Sequence, residues 1–174
     1  MKFELSKAKE ILEQTPTTLR SLLSNLSEEW LKNNEGENTW SPYDVIGHMV
    51  HGEKTDWITR TKIILGDSEN KKFEPFDRSA HLNKSKEVDI TALLGEFETL
   101  RSNNLQELES LHISEDDLTK KGIHPAFGEV TLAQLISTWA VHDLNHIAQI
   151  TRVMANQYKA EVGPWFEYLR ILKI

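Results

Sequence analysis

Residues 131–153 read TLAQLISTWAVHDLNHIAQITRV, and this stretch decides the fold. Leu135, Ile136, Trp139, Ile147, Ile150 and Val153 recur at the three- and four-residue intervals of an amphipathic helix. Thr131-Leu132-Ala133-Gln134 has the Ser/Thr-x-x-Glu/Gln form of a capping box, so the helix starts there. The pattern can continue to about Ala160, until Gly163-Pro164 breaks it ahead of a short tail from Trp165 to Leu172.

Outward from this segment the spacing stays helical. Between Val88 and Leu111, the residues Ile90, Leu93, Leu94, Phe97, Leu100, Leu105 and Leu108 form one apolar stripe. Ser41-Pro42-Tyr43-Asp44 supplies an N-cap, a proline at the first helical position and an acid in the first turn, which predicts a helix from Pro42 to about Leu65, stopped by Gly66. Phe3 to Glu13 begins a further helical pattern that Thr15-Pro16 interrupts. Pro16 suits the first turn of a continuing helix capped by Thr15, with Leu19, Leu22, Leu23 and Leu26 as its buried stripe.

Asn33 to Thr39 reads as a polar loop. Gly66 to Lys86, charged and interrupted by Pro75, reads as a long crossover that covers a bundle end or a cleft. Ser114 to Glu129, with Gly122, Pro125 and Gly128, reads as a loop as well, and both loops are expected to shape a pocket mouth. With 8 glycines and 5 prolines, the chain is too poor in turn formers for a domain built of many strands. Four long helical segments within 174 residues predict one all-α domain over residues 1–174, a four-helix bundle.

Charge and composition exclude several function classes. Lys and Arg total 20 against 27 Asp and Glu, a net charge of −7 that repels phosphate, so nucleic acid is not expected as a partner. No apolar run approaches the roughly 20 residues needed to cross a bilayer, and Met1-Lys2-Phe3-Glu4 lacks the apolar core of a signal peptide. A cytoplasmic protein with no membrane partner is therefore expected. There is no cysteine, so a metal must be held by His, Asp or Glu, and any thiol chemistry needs an external thiol.

His142-Asp143-Leu144-Asn145-His146 places two imidazoles one helical turn apart on one face, where they can share an ion. Seven histidines produce such a pair by chance ~0.3 times in a chain of this length, so spacing alone leaves a metal pair and two half-buried polar residues both open. The setting favours the metal: Leu135, Trp139, Ile147 and Ile150 flank the pair, and imidazoles beside an apolar core cost free energy unless each nitrogen finds a partner.

A catalytic ion of this kind takes about three protein ligands and keeps a position open. His48 offers the third, with Gly52 beside it leaving room for an ion or substrate, while His51 is expected in a supporting or solvent-facing position. Glu53 and Asp143 are candidates for a general base. Asp56 and Gln149 join them as candidate carboxylate or amide partners, although all four could be ordinary helix polarity. Comparison with the His-Glu-x-x-His zinc proteases leaves Asp143 one methylene short and Glu161 or Glu167 as downstream ligands without a sheet to hold a peptide. A carboxylate-bridged di-iron bundle needs two Glu-x-x-His motifs, and only Glu109-Ser110-Leu111-His112 fits.

Two stretches resemble a known family. Trp40-Ser41-Pro42-Tyr43-Asp44-Val45-Ile46-Gly47-His48 with Glu53, Asp56, Trp57 and Arg60, and His124-Pro125-x-Phe127-Gly128 through Trp139-x-x-His142-Asp143-x-x-His146-x-x-Gln149 to Gly163-Pro164-Trp165, are similar to the DinB-like (DinB/YfiT) metalloenzymes. The resemblance covers about residues 40 to 170. It implies an up-down-down-up four-helix bundle, often a homodimer, with a three-histidine site that falls here on His48, His142 and His146. It further implies a divalent transition metal, zinc or nickel and sometimes iron or manganese. Relatives of known activity use low-molecular-weight thiols, as bacillithiol S-transferases and the mycothiol-dependent maleylpyruvate isomerase do. The expectation is a metal-dependent thiol transferase or hydrolase acting on a small molecule. The alternative is a helical binding or scaffold protein with structural histidines, favoured if His48 faced away from the pair or if Trp57, Trp139 or Phe127 filled the pocket.

Overall fold

A computed structural model describes residues 1–83 and 88–173. Helix α1 (Leu5–Leu23) leads through the short α2 (Glu28–Lys32) to α3 (Pro42–Thr55) and α4 (Trp57–Leu65), which form one bent limb. Helices α5 (Ile90–Ser110) and α6 (Leu132–Gln157) complete the bundle. Both α1 and α3 pack against α5 and α6, so α1 lies diagonal to α3 and α5 diagonal to α6.

The cross-links give the directions. Lys9 meets Glu109 and Arg20 meets Glu98, so α1 and α5 are antiparallel. Lys54 meets Glu96 and Lys62 meets Glu107, so the α3–α4 limb runs parallel to α5. His48 faces His146 while Glu53 faces Trp139, so α6 is antiparallel to α3. The topology is up-down-down-up, as the resemblance implies. Among the described residues no helix is long and apolar enough to cross a membrane.

The helix starts follow the sequence signals. Ser41 and Asp44 form a reciprocal capping box with Pro42 at the first position, and Thr131 and Gln134 form the second. Asp89 caps α5 by accepting from the Thr91 N–H at 2.7 Å.

Three expectations are corrected. First, Thr15-Pro16 does not restart a helix, because α1 is continuous with Pro16 inside it. Proline removes the N–H that would bond the Leu12 carbonyl, and the gap is filled from another helix: Arg101 Nη1 donates to Leu12 O at 2.8 Å. Thr15 is not a cap either, since its hydroxyl donates back to Ile11 O at 2.9 Å. Second, the predicted helix from Pro42 to Leu65 bends at Asp56, whose ψ of −75° departs from the helical value. Asp56 ends α3 through its N–H to Gly52 O and starts α4 by accepting at its carbonyl from Arg60 N.

Third, the loop expected from Ser114 to Glu129 contains an antiparallel hairpin, β1 (Lys121–His124) and β2 (Gly128–Thr131), in the register Lys121 to Thr131 and His124 to Gly128. The crossover docks on it, with Ile123 N donating to Lys71 O at 2.8 Å and Phe73 N to Ile123 O at 2.9 Å. Phe73 is buried by this docking. The end of the expected crossover loop, Lys84 to Lys86, lies outside the described residues.

The apolar core is divided. One cluster gathers Leu12, Trp57, Leu108, Leu132 and Trp139, and the other Leu19, Leu23, Ile46, Phe97 and Ile150. Thr15, Glu53, Arg101 and Asp143, all buried, occupy the level between them.

The hairpin dock depends on Gly122, where a Cβ would stand 2.5 Å from the Phe73 ring and 2.9 Å from Ile64. Gly122→Ala must therefore displace an aromatic side chain, an overpacking change expected to cost about 1–3 kcal/mol. A melting temperature unchanged by this substitution would rule out the hairpin packing described.

Candidate metal centre

His48 projects from the middle of α3, and His142 and His146 from one face of α6, into the angle between these antiparallel helices. The three Nε2 atoms converge: His142 Nε2 lies 3.2 Å from His48 Nε2 and 3.0 Å from His146 Nε2. Each residue offers one ligand atom, and these atoms fall within 4.8 Å of one another.

Hydrogen bonding alone does not account for this arrangement. One proton, or one lone pair, on His142 Nε2 can serve only one of its two neighbours well, and the Nδ1 of His142 is itself buried without a hydrogen-bond partner among the described residues. A tetrahedral ion bonded to imidazoles at 2.0–2.1 Å would separate its donor atoms by ~3.3 Å, close to the 3.2 and 3.0 Å between His142 Nε2 and the other two. The donor set therefore fits a divalent transition ion.

The electrostatics favour ligation. Burial, followed by the neighbouring His146 and His81, lowers the pKa of His48 from 6.5 to about 3. Burial, with His146 and His48 next, lowers His142 to about 2. His146 is lowered by burial against the opposing pull of Gln149 and Asp143. At neutral pH all three rings are uncharged and can offer lone pairs. Gln149 Oε1 accepts from His146 Nδ1 at 2.8 Å, which leaves the His146 Nε2 lone pair facing the other two rings.

Behind the histidines lies an ion cluster. Arg101 Nη1 donates to Asp143 Oδ2 at 2.6 Å, and Nη2 donates to Asp143 Oδ1 at 3.0 Å and to Glu53 Oε1 at 2.8 Å. Asn104 donates to Glu53 Oε2 at 2.9 Å, and the Trp139 indole shares Oε1 with Arg101, donating to it at 3.0 Å. All three charged side chains are 1% exposed. Burial opposes the Arg101 charge, but Asp143 and Glu53 outweigh it and raise its pKa. Glu53 and Asp143 are thus placed in the core, and neither lines the cavity in front of the histidines.

That cavity is about 670 Å³, with His48, His142 and His146 at its base. Trp40, Trp57, Phe73 and Phe76 give it aromatic walls, and the tip of the hairpin from His124 to Phe127 forms one side. The crossover contributes Phe73, Pro75, Phe76 and Arg78, so both expected loops do shape the mouth. Trp57 stacks on Trp139 at 5.7 Å and meets His142 edge-on at 5.1 Å, linking the wall to the ion cluster. Gly52 also lines the cavity, but its missing side chain serves Trp57, whose Nε1 would lie 3.4 Å from a Cβ there. His51 packs against Phe76 at 5.0 Å, outside the triad.

Asp56 is the one carboxylate among the described lining residues, paired with Arg60. Burial pushes its pKa up to about 6 against the opposing Arg60 charge. Arg101 was the principal residue missed from sequence. The signal was present, since residues 94, 97, 101 and 108 share one helical face and three of the four are apolar.

Several known proteins are similar to this chain. The sequence profile of the DinB superfamily matches residues 11–150. A Bacillus cereus protein named "Putative metal-dependent hydrolase" is 29% identical over 143 residues, covering 80% of this chain and 79% of its own length. A Bacillus thuringiensis protein with the same description matches to the same extent. Among solved structures, YfiT from Bacillus subtilis, described as "a probable metal-dependent hydrolase with an unusual four-helix bundle topology", superposes with a TM-score of 0.73 at 18% identity, over 91% of this chain and 87% of its own. TT2238, a four-helix bundle protein, superposes at 0.57 and 19% identity over 85% and 98%. At these identities the structural likeness carries the fold.

Arg101→Met leaves two carboxylates buried without their cation and is expected to cost about 3–5 kcal/mol in urea unfolding. The triple change Arg101→Met, Glu53→Gln, Asp143→Asn should recover much of that loss. A single-variant cost below about 1 kcal/mol would contradict the cluster as described.

Proposed function

The chain belongs to the DinB superfamily, and we propose that it is a metal-dependent enzyme in which the Nε2 atoms of His48, His142 and His146 hold one divalent transition ion at the base of a small-molecule cavity. The single observation that carries this reading is the convergence of three neutral imidazoles on one point, beside an open cavity of about 670 Å³. Zinc or nickel suits three nitrogen donors best, with iron or manganese as further candidates. Such an ion supplies Lewis acidity, polarising a substrate and lowering the pKa of a water or thiol.

The chain's own residues supply position and environment. Gln149 holds the His146 tautomer, and the Arg101 cluster fixes the α3 and α6 faces that carry all three histidines. The aromatic walls exclude bulk water from part of the cavity and strengthen electrostatic effects inside it. Asp56, with its raised pKa, is the carboxylate placed to exchange a proton with a cavity ligand. In this reading Glu53 and Asp143 act on Arg101 and on helix position, and proton transfer is not assigned to them.

Hydrolysis is the favoured reaction, because related chains are named as metal-dependent hydrolases. Transfer of an external low-molecular-weight thiol is the second reading, supported by an aromatic cavity wide enough for two reactants in a chain without cysteine. The scaffold alternative would be favoured by His48 facing away from the pair or by Trp57, Trp139 or Phe127 filling the pocket. His48 instead points at His142, and Trp57 and Phe127 stand at the cavity walls.

Plasma mass spectrometry on untagged protein tests the reading. About one equivalent of a transition metal is expected, falling to background in the His48→Ala, His142→Ala, His146→Ala variant. Turnover of an ester and amide panel, with and without added thiol, should disappear with the metal. A protein that takes up neither zinc nor nickel, or a variant that retains the metal, would reject it.

A further inference from the structure

The charges that line the cavity do not balance. Asp56 is its one carboxylate among the described residues, and it is paired with Arg60, which also donates to the Glu74 carbonyl at 3.3 Å. Arg78 lines the same cavity with its guanidinium engaged by no ion pair or side-chain hydrogen bond among the described residues. A chain of net charge −7 thus presents an unpaired cation over its candidate reaction site, where a long-range field from the rest of the surface would repel anions.

The same cavity has aromatic walls, with Trp40 and Phe76 flanking His48 at ring distances of 4.8 and 5.4 Å. An apolar wall with one free guanidinium at its edge is complementary to a flat apolar body that carries an anionic group at one end. We infer that the substrate is an organic anion with an apolar, planar or branched body, its carboxylate-type or sulfonate-type group held by Arg78 and its body by Trp40 and Phe76. This rests on the cavity being the reaction site proposed above.

A matched pair of probes isolates the contribution of Arg78. Naphthalene-2-sulfonate and methyl 2-naphthyl sulfone share shape and apolar area but differ in charge, and both are poor metal ligands. Calorimetric titration of the zinc-loaded protein should show the sulfonate binding about tenfold tighter than the sulfone, roughly one charge-assisted contact. That preference should vanish in Arg78→Met, largely return in Arg78→Lys, and weaken in added sodium chloride. Equal affinity for the two probes, a preference that survives Arg78→Met, or no measurable binding of the sulfonate overturns the inference. Zinc content measured on the same samples separates the two failures: metal present without anion preference rejects this inference alone, and metal absent rejects the reading of the site.

Discussion

A guanidinium bonded to two carboxylates in the middle of the bundle is the constraint on which the rest of the structure depends. Arg101 reaches Asp143 on α6, Glu53 on α3 and the Leu12 carbonyl on α1, so one side chain of α5 ties all four limbs. The desolvation of three charges in an apolar core is tolerable only when nearly every donor and acceptor is matched. That requirement sets the relative height of the four helices much more sharply than interchangeable apolar contacts would. Pro16 belongs to the same device. A residue that would ordinarily break a helix here frees a carbonyl that accepts one of the guanidinium's hydrogen bonds.

The height set by this layer places the histidines. Asp143 is the neighbour of His142 and lies one turn below His146, while Glu53 lies five residues beyond His48 on α3. Fixing the two carboxylates on one cation therefore fixes the α3 and α6 faces that point three imidazoles at one another. The stacked pair of Trp57 and Trp139 connects the two levels, with Trp139 donating to Glu53 and Trp57 touching His142. A buried polar layer thus lies behind the three histidines, and a wide, loop-walled cavity opens in front of them.

Much of this was legible in the sequence, and what was not has a physical cause. Long helices announced themselves through period and caps, because Ser41-Pro42 and Thr131-Gln134 are local signals read within four residues. The three histidines that converge were likewise accessible, two from their spacing and His48 from its place on the facing helix. The hairpin was not, since strands of four residues that include Gly122 and Gly128 give too short an alternation to stand out, and they dock on Phe73. Continuity through Pro16 and the roles of Glu53 and Asp143 depend on Arg101, 48 and 42 residues away from the two acids, and a pairing at that range has no local signature. The apolar-stripe position of Arg101 was the available clue, a charge where the pattern demands a buried side chain.

The central claim is that three imidazoles share one ion, and X-ray absorption at the metal edge of the zinc-loaded protein tests it most directly. About three imidazole scatterers at 2.0–2.1 Å are expected, together with a lighter oxygen contribution. A first shell made of carboxylate and water oxygens, with the multiple-scattering signature of imidazole missing, would contradict it.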